Sequence, residues 1–600
     1  MQAVILAAGM GKRLKELTRN NTKCMVKVNG VTLIERMLKQ IEAQNVSRIV
    51  IVVGYEGQKL IDFIHTLSIQ TPVEFIENPV FDKTNNIYSL YLAKDVLCEE
   101  DTLLFESDLI FEDAVLDALV EDPRDTLALL SKYEPWMDGT CVTLKEDDSI
   151  DTFVPGKQFR FSECEHYYKT VNIYKFSQSF SANYYVPFLT AYQQALGQNE
   201  YYEQVLRVIT MLEEPVIKGK RLDRQKWYEI DDIQDLDIAE SIFSTGSTRR
   251  AKLMERYGGY WRYPNLLDYC YLVNPYFPNE KLKEELKYSF DALLTQYPSG
   301  MKVNSLVASR NFNVSPEQIV VGNGAAELIH SLMNLLEGTA GFIRPTFEEY
   351  PNRWSSEDAV VFTPELPDYA YTAEDLISYF SRHPVDHLIL INPDNPSGNY
   401  IPSADLLRLV KWAEEKAMNL IVDESFADFA QEENNSLLST ECLSQYPHLF
   451  VMKSISKSYG VPGLRLGILA SGNTEVIARM KKDVSIWNIN SFGEYFLQIY
   501  AKYEKDYHKA LQQFKAERTR LKEALRALPG LRVIDSEANF VMAEVTCMTS
   551  SELQSSLLDR YDILIKDLSG KLNGQSYIRL AIRDSKDNDR LLHALEELLK

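Results

Sequence analysis

Two segments of this chain carry the residues of anion sites, and they lie far apart. The first segment, LAAGMGKRL, follows the apolar run Ala3–Leu6 and places Gly9 and Gly11 just before Arg13. Glycine lets a backbone approach a phosphate closely, and backbone N–H groups in such a loop attract anions. Arg13 and the later Lys23 could add charge to a polyphosphate. The segment matches neither GxGxxG nor GxxxxGK[ST], which indicates a phosphate site of another kind.

The second segment, SISKSYGVPGLRLG, contains Lys457 and Arg465, which are 8 positions apart. Its glycines and proline disfavour a helix, so the segment is predicted to be a loop. A single lysine on a loop is usually only a solvated charge. The residues elsewhere in the chain must therefore decide its role.

Composition limits the classes of protein that fit. A chain of 600 residues predicts two or three domains, and 45% hydrophobic with 25% charged residues is typical of soluble globular proteins. The net charge of −22 argues against a nucleic-acid partner. The 7 cysteines form no C-x-x-C pair, which indicates a cytoplasmic protein without disulfides or structural zinc. Neither a signal peptide nor a membrane span is expected.

Apolar strand-like runs alternate with amphipathic helical patterns in both halves, which predicts an α/β fold with parallel sheets. AVILAAG precedes a helix expected near Thr32 to Gln44, and RIVIVVG and TLLFESD follow as strands. In the second half QIVVGNG, HLILINPDNP, NLIVDESF and LGILAS are predicted strands. The boundaries are set at residues 1–243, a linker at 244–264, and residues 265–600.

The first segment, with Lys23, resembles the LAAGxGxRL and Pro-Lys pattern of sugar-1-phosphate and choline-phosphate nucleotidyltransferases, with Thr22 in place of proline. The resemblance implies a Rossmann-like domain whose loop wraps the phosphates of a nucleoside triphosphate while Arg13 and Lys23 hold the leaving pyrophosphate. It also implies Mg²⁺ ligands at Asp108 and Asp231, with Asp232 as the alternative. The loop residues are Leu6, Ala7, Ala8, Gly9 and Gly11.

Two segments, TNNIYSLYLAK and YEIDDIQDL, resemble the choline-phosphate cytidylyltransferase branch of that superfamily. This resemblance implies CTP and a small aminoalkyl phosphate or phosphonate as substrates. Trp136 and the pair Tyr201 and Tyr202 could hold the amine by cation–π contact, and Glu203 could pair with it. A purely structural role for these aromatic residues is equally open.

The surroundings of Lys457 resemble fold-type I pyridoxal-phosphate aminotransferases, in the branch of histidinol-phosphate aminotransferase and threonine-phosphate decarboxylase. The resemblance implies that Lys457 attaches the cofactor aldehyde and that Asp423 keeps its ring nitrogen protonated. Asn395 would contact the ring hydroxyl, Phe347 would stack on the ring, and Arg579 would bind a substrate carboxylate. Groups expected to hold the cofactor phosphate are Ser454, Ser456, Arg465 and the N–H groups of Gly324, Ala325 and Ala326.

Two further features concern assembly and chemistry. Tyr297 is expected to reach the cofactor of a partner subunit, which implies a homodimer through the C-terminal domain. Phe426 stands where aminotransferases commonly have tyrosine, a departure shared with the decarboxylase branch. Transamination with an amino-acid donor is the expectation, and decarboxylation remains open.

The two resemblances together predict a bifunctional enzyme. Transamination of phosphonoacetaldehyde would give 2-aminoethylphosphonate, which the first half would convert with CTP to its CMP adduct. One alternative is decarboxylation of O-phosphoserine followed by formation of CDP-ethanolamine. Others are a sugar-1-phosphate nucleotidyltransferase fused to an aminotransferase, and a protein in which one half has become a binding module.

Overall fold

A computed structural model describes residues 1–271, 273–365 and 368–600. The chain forms two compact units, Met1–Tyr263 and Pro264–Lys600. Within the described residues no helix combines the length and apolar character that crossing a membrane requires.

The first unit alternates strands and helices. Its strands are β1 Gln2–Ala7, β2 Lys27–Val28, β3 Val31–Thr32, β4 Ile49–Val53, β5 Val73–Glu77, β6 Thr102–Glu106, β7 Leu109–Phe111, β8 Leu127–Lys132, β9 Cys141–Leu144, β10 Ile150–Val154, β11 Tyr168–Phe176, β12 Lys218–Arg221 and β13 Trp227–Glu229. Its helices are α1 Leu33–Ala43, α2 Gly57–His65, α3 Asn86–Leu92, α4 Lys94–Leu97, α5 Asp113–Val120, α6 Gln178–Phe180, α7 Val186–Leu196, α8 Glu203–Ile209, α9 Ile233–Ile242 and α10 Gly246–Glu255.

A mixed sheet forms the centre of this unit. Its order is β10-β9-β11-β6-β1-β4-β5, with β8 paired to β11 and β12. The pairs β6–β1, β1–β4 and β4–β5 are parallel, and β11 runs antiparallel to β6. The side chains of β1 and β4 are buried throughout, as expected for parallel strands covered on both faces. The carboxyl ends of β1 and β6 therefore open at the same edge of the sheet.

The segment after the glycine loop is a 3₁₀ helix, Lys12–Thr18, which Lys15 interrupts with a φ of 49°. The structure corrects one expectation in this unit. The expected linker is ordered: α10 packs against α9, and residues up to Tyr263 belong to the first unit. The boundary therefore lies between Tyr263 and Pro264.

The second unit also alternates strands and helices. Its strands are β14 Leu267–Asp268, β15 Ile319–Asn323, β16 Ala340–Ile343, β17 Ala359–Phe362, β18 His387–Ile391, β19 Asn419–Asp423, β20 Leu449–Ser454, β21 Leu466–Ser471, β22 Leu531–Val533, β23 Phe540–Val545, β24 Ile563–Leu564, β25 Lys566–Asp567 and β26 Tyr577–Ala581. Its helices are α11 Glu280–Tyr288, α12 Phe290–Thr295, α13 Met301–Phe312, α14 Ala325–Leu335, α15 Ala373–Arg382, α16 Ser403–Glu415, α17 Thr440–Gln445, α18 Ile455–Ser458, α19 Thr474–Asp483, α20 Ser491–Ile499, α21 Glu504–Arg526, α22 Ser550–Tyr561 and α23 Ser585–Leu598.

The main sheet of the second unit has the order β15-β21-β20-β19-β18-β16-β17. Strands β17, β16, β18, β19 and β20 are parallel, whereas β21 is antiparallel to both of its neighbours. A smaller antiparallel sheet, β22-β23-β26-β25, completes the unit. The segment around Lys457, expected to be a loop, instead forms the single helical turn α18 directly after β20.

Candidate functional site

The first unit contains a cavity of about 730 Å³ at the carboxyl ends of β1 and β6. Of the predicted loop, Leu6, Ala8, Gly9, Gly11 and Arg13 line this cavity, as does Lys23. Ala7 is instead 3% exposed and packs in the core, because it ends β1 and neighbouring strand residues point to opposite faces.

The loop needs glycine at position 11 for a steric reason. Gly11 has a φ of 56°, and a Cβ there would lie 3.1 Å from side-chain atoms of both Lys23 and Thr18. The glycine therefore lets the loop pass close to Lys23. Thr22 stands where the resembling family has proline. It is buried and contacts Cys24, and the next residue, Lys23, lines the cavity.

Lys23 lies between the two predicted metal ligands. Its Nζ donates to Asp108, and it lies 2.8 Å from Asp231 Oδ1. Burial alone would lower the pKa of Lys23, but the two carboxylates outweigh it and raise the pKa, so the ammonium stays charged. Arg13 adds a second cation, with Nη2 3.1 Å from Asp231.

A third carboxylate, Glu229, joins these aspartates. One ligand oxygen from each of Asp108, Glu229 and Asp231 lies within 4.8 Å of the others. Asp108 Oδ1 is buried without a hydrogen-bond partner, so the group has capacity for a cation. Sequence reasoning missed Glu229, which ends β13 two positions before Asp231.

Asp232, the alternative ligand, has a structural role. Its side chain accepts a hydrogen bond from the backbone N–H of Asp235 and forms a capping box at the start of α9. Asp231 therefore remains free to face the cavity, which it lines.

The aromatic pair proposed for the amine is corrected by the structure. Tyr202 is fully buried in the core, with its ring 5.8 Å from that of Tyr174, and presents no face to the cavity. Its neighbour Tyr201 lines the cavity instead. Trp136 lines a second cavity of about 160 Å³, where its ring stacks on Tyr228 at 4.7 Å. The Arg262 guanidinium also lies 5.1 Å from the Trp136 ring.

Glu203, which is expected to pair with the substrate amine, lines the larger cavity. It is 4% exposed, and burial raises its pKa to about 7. Glu106, at the end of β6, lines the same cavity and accepts a hydrogen bond from Asn86 Nδ2 at 2.9 Å. Burial also raises the pKa of Glu106 well above its ordinary value. From the segment TNNIYSLYLAK, Thr84, Asn85, Asn86 and Ser89 line the cavity.

In the second unit the predicted cofactor residues lie at the carboxyl ends of parallel strands. Asp423 ends β19, and Lys457 follows β20 in α18. Asp423 accepts hydrogen bonds from Ser425 N and from the Tyr350 hydroxyl, each at 2.9 Å. Burial lowers the pKa of Lys457 to about 8, so near neutral pH a much larger fraction of its amine is neutral than in an ordinary lysine. Ligands of open α/β sheets bind at this edge.

The groups expected to hold the cofactor phosphate meet around Arg465. Gly324 has a φ of 78°, and a Cβ there would lie 2.5 Å from Arg465 Nη2, so only glycine fits. The N–H of Gly324 already donates to the Gly322 carbonyl at 2.8 Å, which corrects its expected role as a phosphate donor. Ala325 and Ala326 begin α14, where N–H groups have no helical acceptor.

Serines 454 and 456 are both buried, as a bound cofactor would require. Ser454 N donates to the Ser425 hydroxyl at 2.9 Å, which fixes the end of β20 beside Asp423's strand. The Ser456 hydroxyl is buried without a hydrogen-bond partner. Such an orphaned donor next to Lys457 fits an anionic group bound in this place.

Arg579 connects the predicted substrate and cofactor residues. Its Nη1 donates to Asn395 Oδ1 at 2.6 Å, and its Nη2 donates to the Cys270 carbonyl at 2.8 Å. Burial lowers its pKa to about 10, and its Nε has no hydrogen-bond partner. The guanidinium also lies 5.2 Å from the Phe540 ring. Arg579 is therefore a half-buried cation with remaining capacity to bind an acid.

Three other residues surround this site. Phe426 lies with its ring centroid 6.0 Å from Lys457 Nζ and supplies no hydroxyl. Phe347 is 41% exposed, which leaves its ring available for stacking. Tyr297 is 81% exposed and stacks on Trp487 at 4.5 Å.

Sequence reasoning missed the polar residues that support these groups. Tyr350, which bonds Asp423, carries no motif. Asp428 accepts hydrogen bonds from Lys453 Nζ at 2.6 Å, from the Ser458 hydroxyl at 2.6 Å and from Tyr507 at 2.8 Å. Because Ser458 follows Lys457, this cluster fixes the turn that carries the lysine. Only the three-dimensional arrangement reveals such contacts.

Two family models match the chain. Residues 289–595 match class I and II aminotransferases, and residues 3–137 match MobA-like NTP transferase domains. Over its whole length the chain is 31% identical to a CMP-5'-(3-aminopropyl)phosphonate synthase of Streptomyces rubellomurinus and covers 95% of that protein. Over 56% of the chain it is 32% identical to an L-serine phosphate decarboxylase of Sulfurospirillum multivorans, with 88% of that protein covered.

Solved structures agree with these matches. A decarboxylase from Sulfurospirillum multivorans aligns with a TM-score of 0.52 and 31% identity, over 57% of this chain and 91% of that one. The histidinol-phosphate aminotransferase of Clostridium acetobutylicum aligns with a TM-score of 0.50 and 30% identity, over 56% of this chain and 99% of that one. The two-family resemblance and the α/β fold class predicted from the sequence are confirmed.

Proposed function

Because the chain belongs to the class I and II aminotransferases and carries an NTP transferase domain ahead of that fold, we propose that its two units catalyse consecutive steps. The second unit makes a small aminoalkyl phosphonate or phosphate, and the first activates it with CTP. The observation that carries the proposal is the cavity in which the glycine loop, Lys23 and the buried Glu203 meet. The relative from Streptomyces, named for an aminoalkyl phosphonate product, supports it over its whole length.

The first unit is suited to displacement at the α-phosphorus of CTP. The phosphonate oxygen is already anionic, so no general base is needed. The loop around Gly11 positions the triphosphate, and Lys23 and Arg13 neutralise the charge that develops on leaving pyrophosphate. The new P–O bond joins phosphonate to CMP as the bond to pyrophosphate breaks. We take 2-aminoethylphosphonate as the first substrate to test and 3-aminopropylphosphonate as its direct comparison.

The first unit has the donor set for Mg²⁺. The oxygens of Asp108, Glu229 and Asp231 are hard ligands, and the unpartnered Asp108 Oδ1 fits a cation. A bound Mg²⁺ would neutralise phosphate charge. Lys23 would then remain beside the same carboxylates and face the pyrophosphate.

The second unit is suited to hold pyridoxal phosphate. That cofactor withdraws electrons from bonds at the carbon bearing the substrate amine. Asp423 would keep a proton on the ring nitrogen, with Tyr350 orienting the carboxylate. Lys457, whose pKa is lowered to about 8, can accept a proton at Nζ near neutral pH. Arg579 would orient the acidic end of the substrate.

Two reactions could supply the amine, and a specific observation favours each. The aminotransferase match supports transamination of phosphonoacetaldehyde with an amino-acid donor. Phe426, which lacks the hydroxyl common in aminotransferases, supports loss of CO₂ from a phosphono or phospho amino acid. The similarity to a protein named L-serine phosphate decarboxylase supports this second reaction as well.

The first test measures pyrophosphate release by the full-length protein with Mg²⁺, a panel of nucleoside triphosphates, and either aminoalkyl phosphonates or sugar 1-phosphates. We expect release with CTP and 2-aminoethylphosphonate or its 3-carbon homologue. If only sugar phosphates react, or nothing reacts, the proposed function is wrong.

The second test separates the two sources of the amine. The cofactor-loaded protein is supplied with carboxyl-labelled O-phosphoserine or 2-amino-3-phosphonopropionate and no amino acceptor. Labelled CO₂ identifies decarboxylation. Formation of 2-aminoethylphosphonate only when phosphonoacetaldehyde and an amino-acid donor are both present identifies transamination.

A homodimer remains part of the proposal. Tyr297 is largely exposed in the isolated chain, which supports a position at which it could reach the site of a partner subunit. Sedimentation of the full-length protein measures its oligomeric state directly. A monomer with full second-unit activity would contradict the expected homodimer.

A further inference from the structure

Two carboxylates in the first unit's cavity lack an ion-pair partner. Glu106 and Glu203 both line the cavity, and within residues 1–271, 273–365 and 368–600 no lysine, arginine or histidine forms an ion pair with either. Glu203 is 4% exposed, and its Oε2 has no hydrogen-bond partner. The cavity thus presents buried acceptor capacity that the protein itself does not fill.

The side-chain amide of Asn86 connects the segments that carry the two carboxylates. Asn86 Nδ2 donates to Glu106 Oε1 at 2.9 Å, and Asn86 Oδ1 accepts from the backbone N–H of Tyr202 at 3.1 Å. Tyr202 directly precedes Glu203. The ends of β6, α3 and α8 are therefore joined by one side chain, which makes Asn86 a positioning residue for the pair.

A buried carboxylate without a cation is costly, since burial favours the neutral acid. The raised pKa of Glu203, about 7, reflects this burial. Its neighbours Tyr174, Tyr185 and Tyr202 carry no positive charge. Lys169 is already engaged by Glu229 at 3.1 Å. A cation that enters the cavity would therefore offset the cost of burying the Glu203 carboxylate.

We propose that Glu203 and Glu106 bind the primary ammonium of the nucleotidyl acceptor through N–H hydrogen bonds, so that the first unit selects aminoalkyl substrates with a free amine and rejects their trimethylammonium analogues. This inference rests on the proposed function and names the substrate class of that same site. A trimethylammonium group has no N–H to donate and would need aromatic faces instead.

The aromatic side chains expected for such a cage do not form one. Tyr202 is in the core, the ring of Trp136 stacks on Tyr228 in the second cavity, and of the three expected residues Tyr201 alone lines the larger cavity. The unpartnered carboxylates of Glu106 and Glu203, rather than a cage of aromatic faces, are thus the groups that we assign to the ammonium. This arrangement favours a small ammonium with hydrogen-bond donors.

The test compares substrates that differ only at the amine. The full-length protein is given CTP, Mg²⁺ and one of 2-aminoethylphosphonate, its N,N,N-trimethyl analogue or ethylphosphonate, and pyrophosphate release is measured. We expect kcat/KM for the free amine to exceed that for both analogues by at least about 100-fold, because a site built for N–H donors rejects ligands that lack them.

Glu203→Gln removes the charge with little change in shape. We expect kcat/KM for 2-aminoethylphosphonate to fall at least about 100-fold and the preference for it over ethylphosphonate to fall with it. A structural defect would instead lower kcat/KM for both substrates and leave the ratio of the two values unchanged. Glu200→Gln, an exposed change just before the same helix, is the matched control and should leave both rates unchanged.

The outcomes separate the two levels of the proposal. If the trimethyl analogue reacts as well as the free amine, or if Glu203→Gln keeps the wild-type preference, the ammonium assignment is wrong while CTP-dependent activation stands. If no phosphonate or phosphate releases pyrophosphate, the proposed function is contradicted, and this inference with it.

Discussion

Lys23 and Lys457 are both half-buried lysines, yet their surroundings move their pKa values in opposite directions. Lys23 lies between Asp108 and Asp231, and its pKa is raised, so it is a permanent cation. Burial, together with the positive charges of Arg579 and Arg465, outweighs Asp423 and lowers the pKa of Lys457 to about 8. One lysine is suited to hold phosphate charge and the other to react as a neutral amine.

Replacing Lys23 should lower nucleotidyl transfer. We expect Lys23→Ala to lower kcat for pyrophosphate release about 10²- to 10³-fold, the usual effect of removing one group that stabilises transition-state charge. Steady-state kinetics with CTP and 2-aminoethylphosphonate measure this loss. Lys27→Ala, an exposed change nearby, serves as the control. A rate within about 3-fold of wild type would contradict the assigned role.

The lowered pKa of Lys457 has a direct consequence for cofactor loading. Only the neutral amine attacks an aldehyde, so the loading rate of cofactor-free protein should rise with pH and level off above about 8. Absorbance after mixing with pyridoxal phosphate follows the rate from pH 6.5 to 9.5. Arg579→Gln removes a nearby positive charge and should move the midpoint upward. A wild-type midpoint near the ordinary lysine pKa would refute the argument.

At the scale of elements, the turn from β15 into α14 depends on one glycine. Gly324 has a positive φ, and the Arg465 guanidinium occupies the place of its missing side chain. We expect Gly324→Ala to displace Arg465 and weaken pyridoxal-phosphate binding at least about 10-fold, since both strain and a lost phosphate contact contribute. Fluorescence titration of cofactor-free protein measures the dissociation constant.

Gly463→Ala provides the matched control for that change. A Cβ at Gly463 would meet no atom within 4 Å, and the residue lies on the exposed surface of the neighbouring loop. Its cofactor affinity should equal that of wild type. Equal affinities for both variants would show that Arg465 does not need the space beside Gly324.

Strands were the predictable elements, because apolar runs such as those of β1, β4 and β19 leave few alternatives to a buried strand. Short turns were not predictable, since the 3₁₀ helix after Gly11 and the single turn α18 depend on contacts distant in sequence. The same reason explains which site residues could be predicted from the sequence. Motifs revealed Lys23, Asp423 and Lys457, whereas Glu229 and Tyr350 gain their roles only from residues that the fold brings beside them.

At the scale of the whole molecule, each unit has its own hydrophobic core. The large cluster of the second unit begins at Leu267, and two clusters of the first unit contain only residues before Tyr228. The residues named above for each site all belong to one unit. The two chemistries should therefore be separable by single substitutions.

Substitutions at the two lysines should separate these activities. We expect Lys457→Ala to abolish cofactor absorbance and amine formation while pyrophosphate release with supplied 2-aminoethylphosphonate stays within about 2-fold of wild type, because no first-unit residue is altered. Lys23→Ala should show the converse, so each variant controls for the other. Simultaneous loss of both activities in either variant would show that the units depend on each other.

The buried polar atoms without partners have a thermodynamic consequence. Asp108 Oδ1, Glu203 Oε2, Ser456 Oγ and Arg579 Nε are buried without a hydrogen-bond partner. A buried polar atom in this condition typically costs about 1–3 kcal/mol of folding free energy, and ligands bound at the proposed sites would restore stability by mass action. In calorimetry, pyridoxal phosphate should raise the melting transition of the second unit alone, and CTP with Mg²⁺ that of the first.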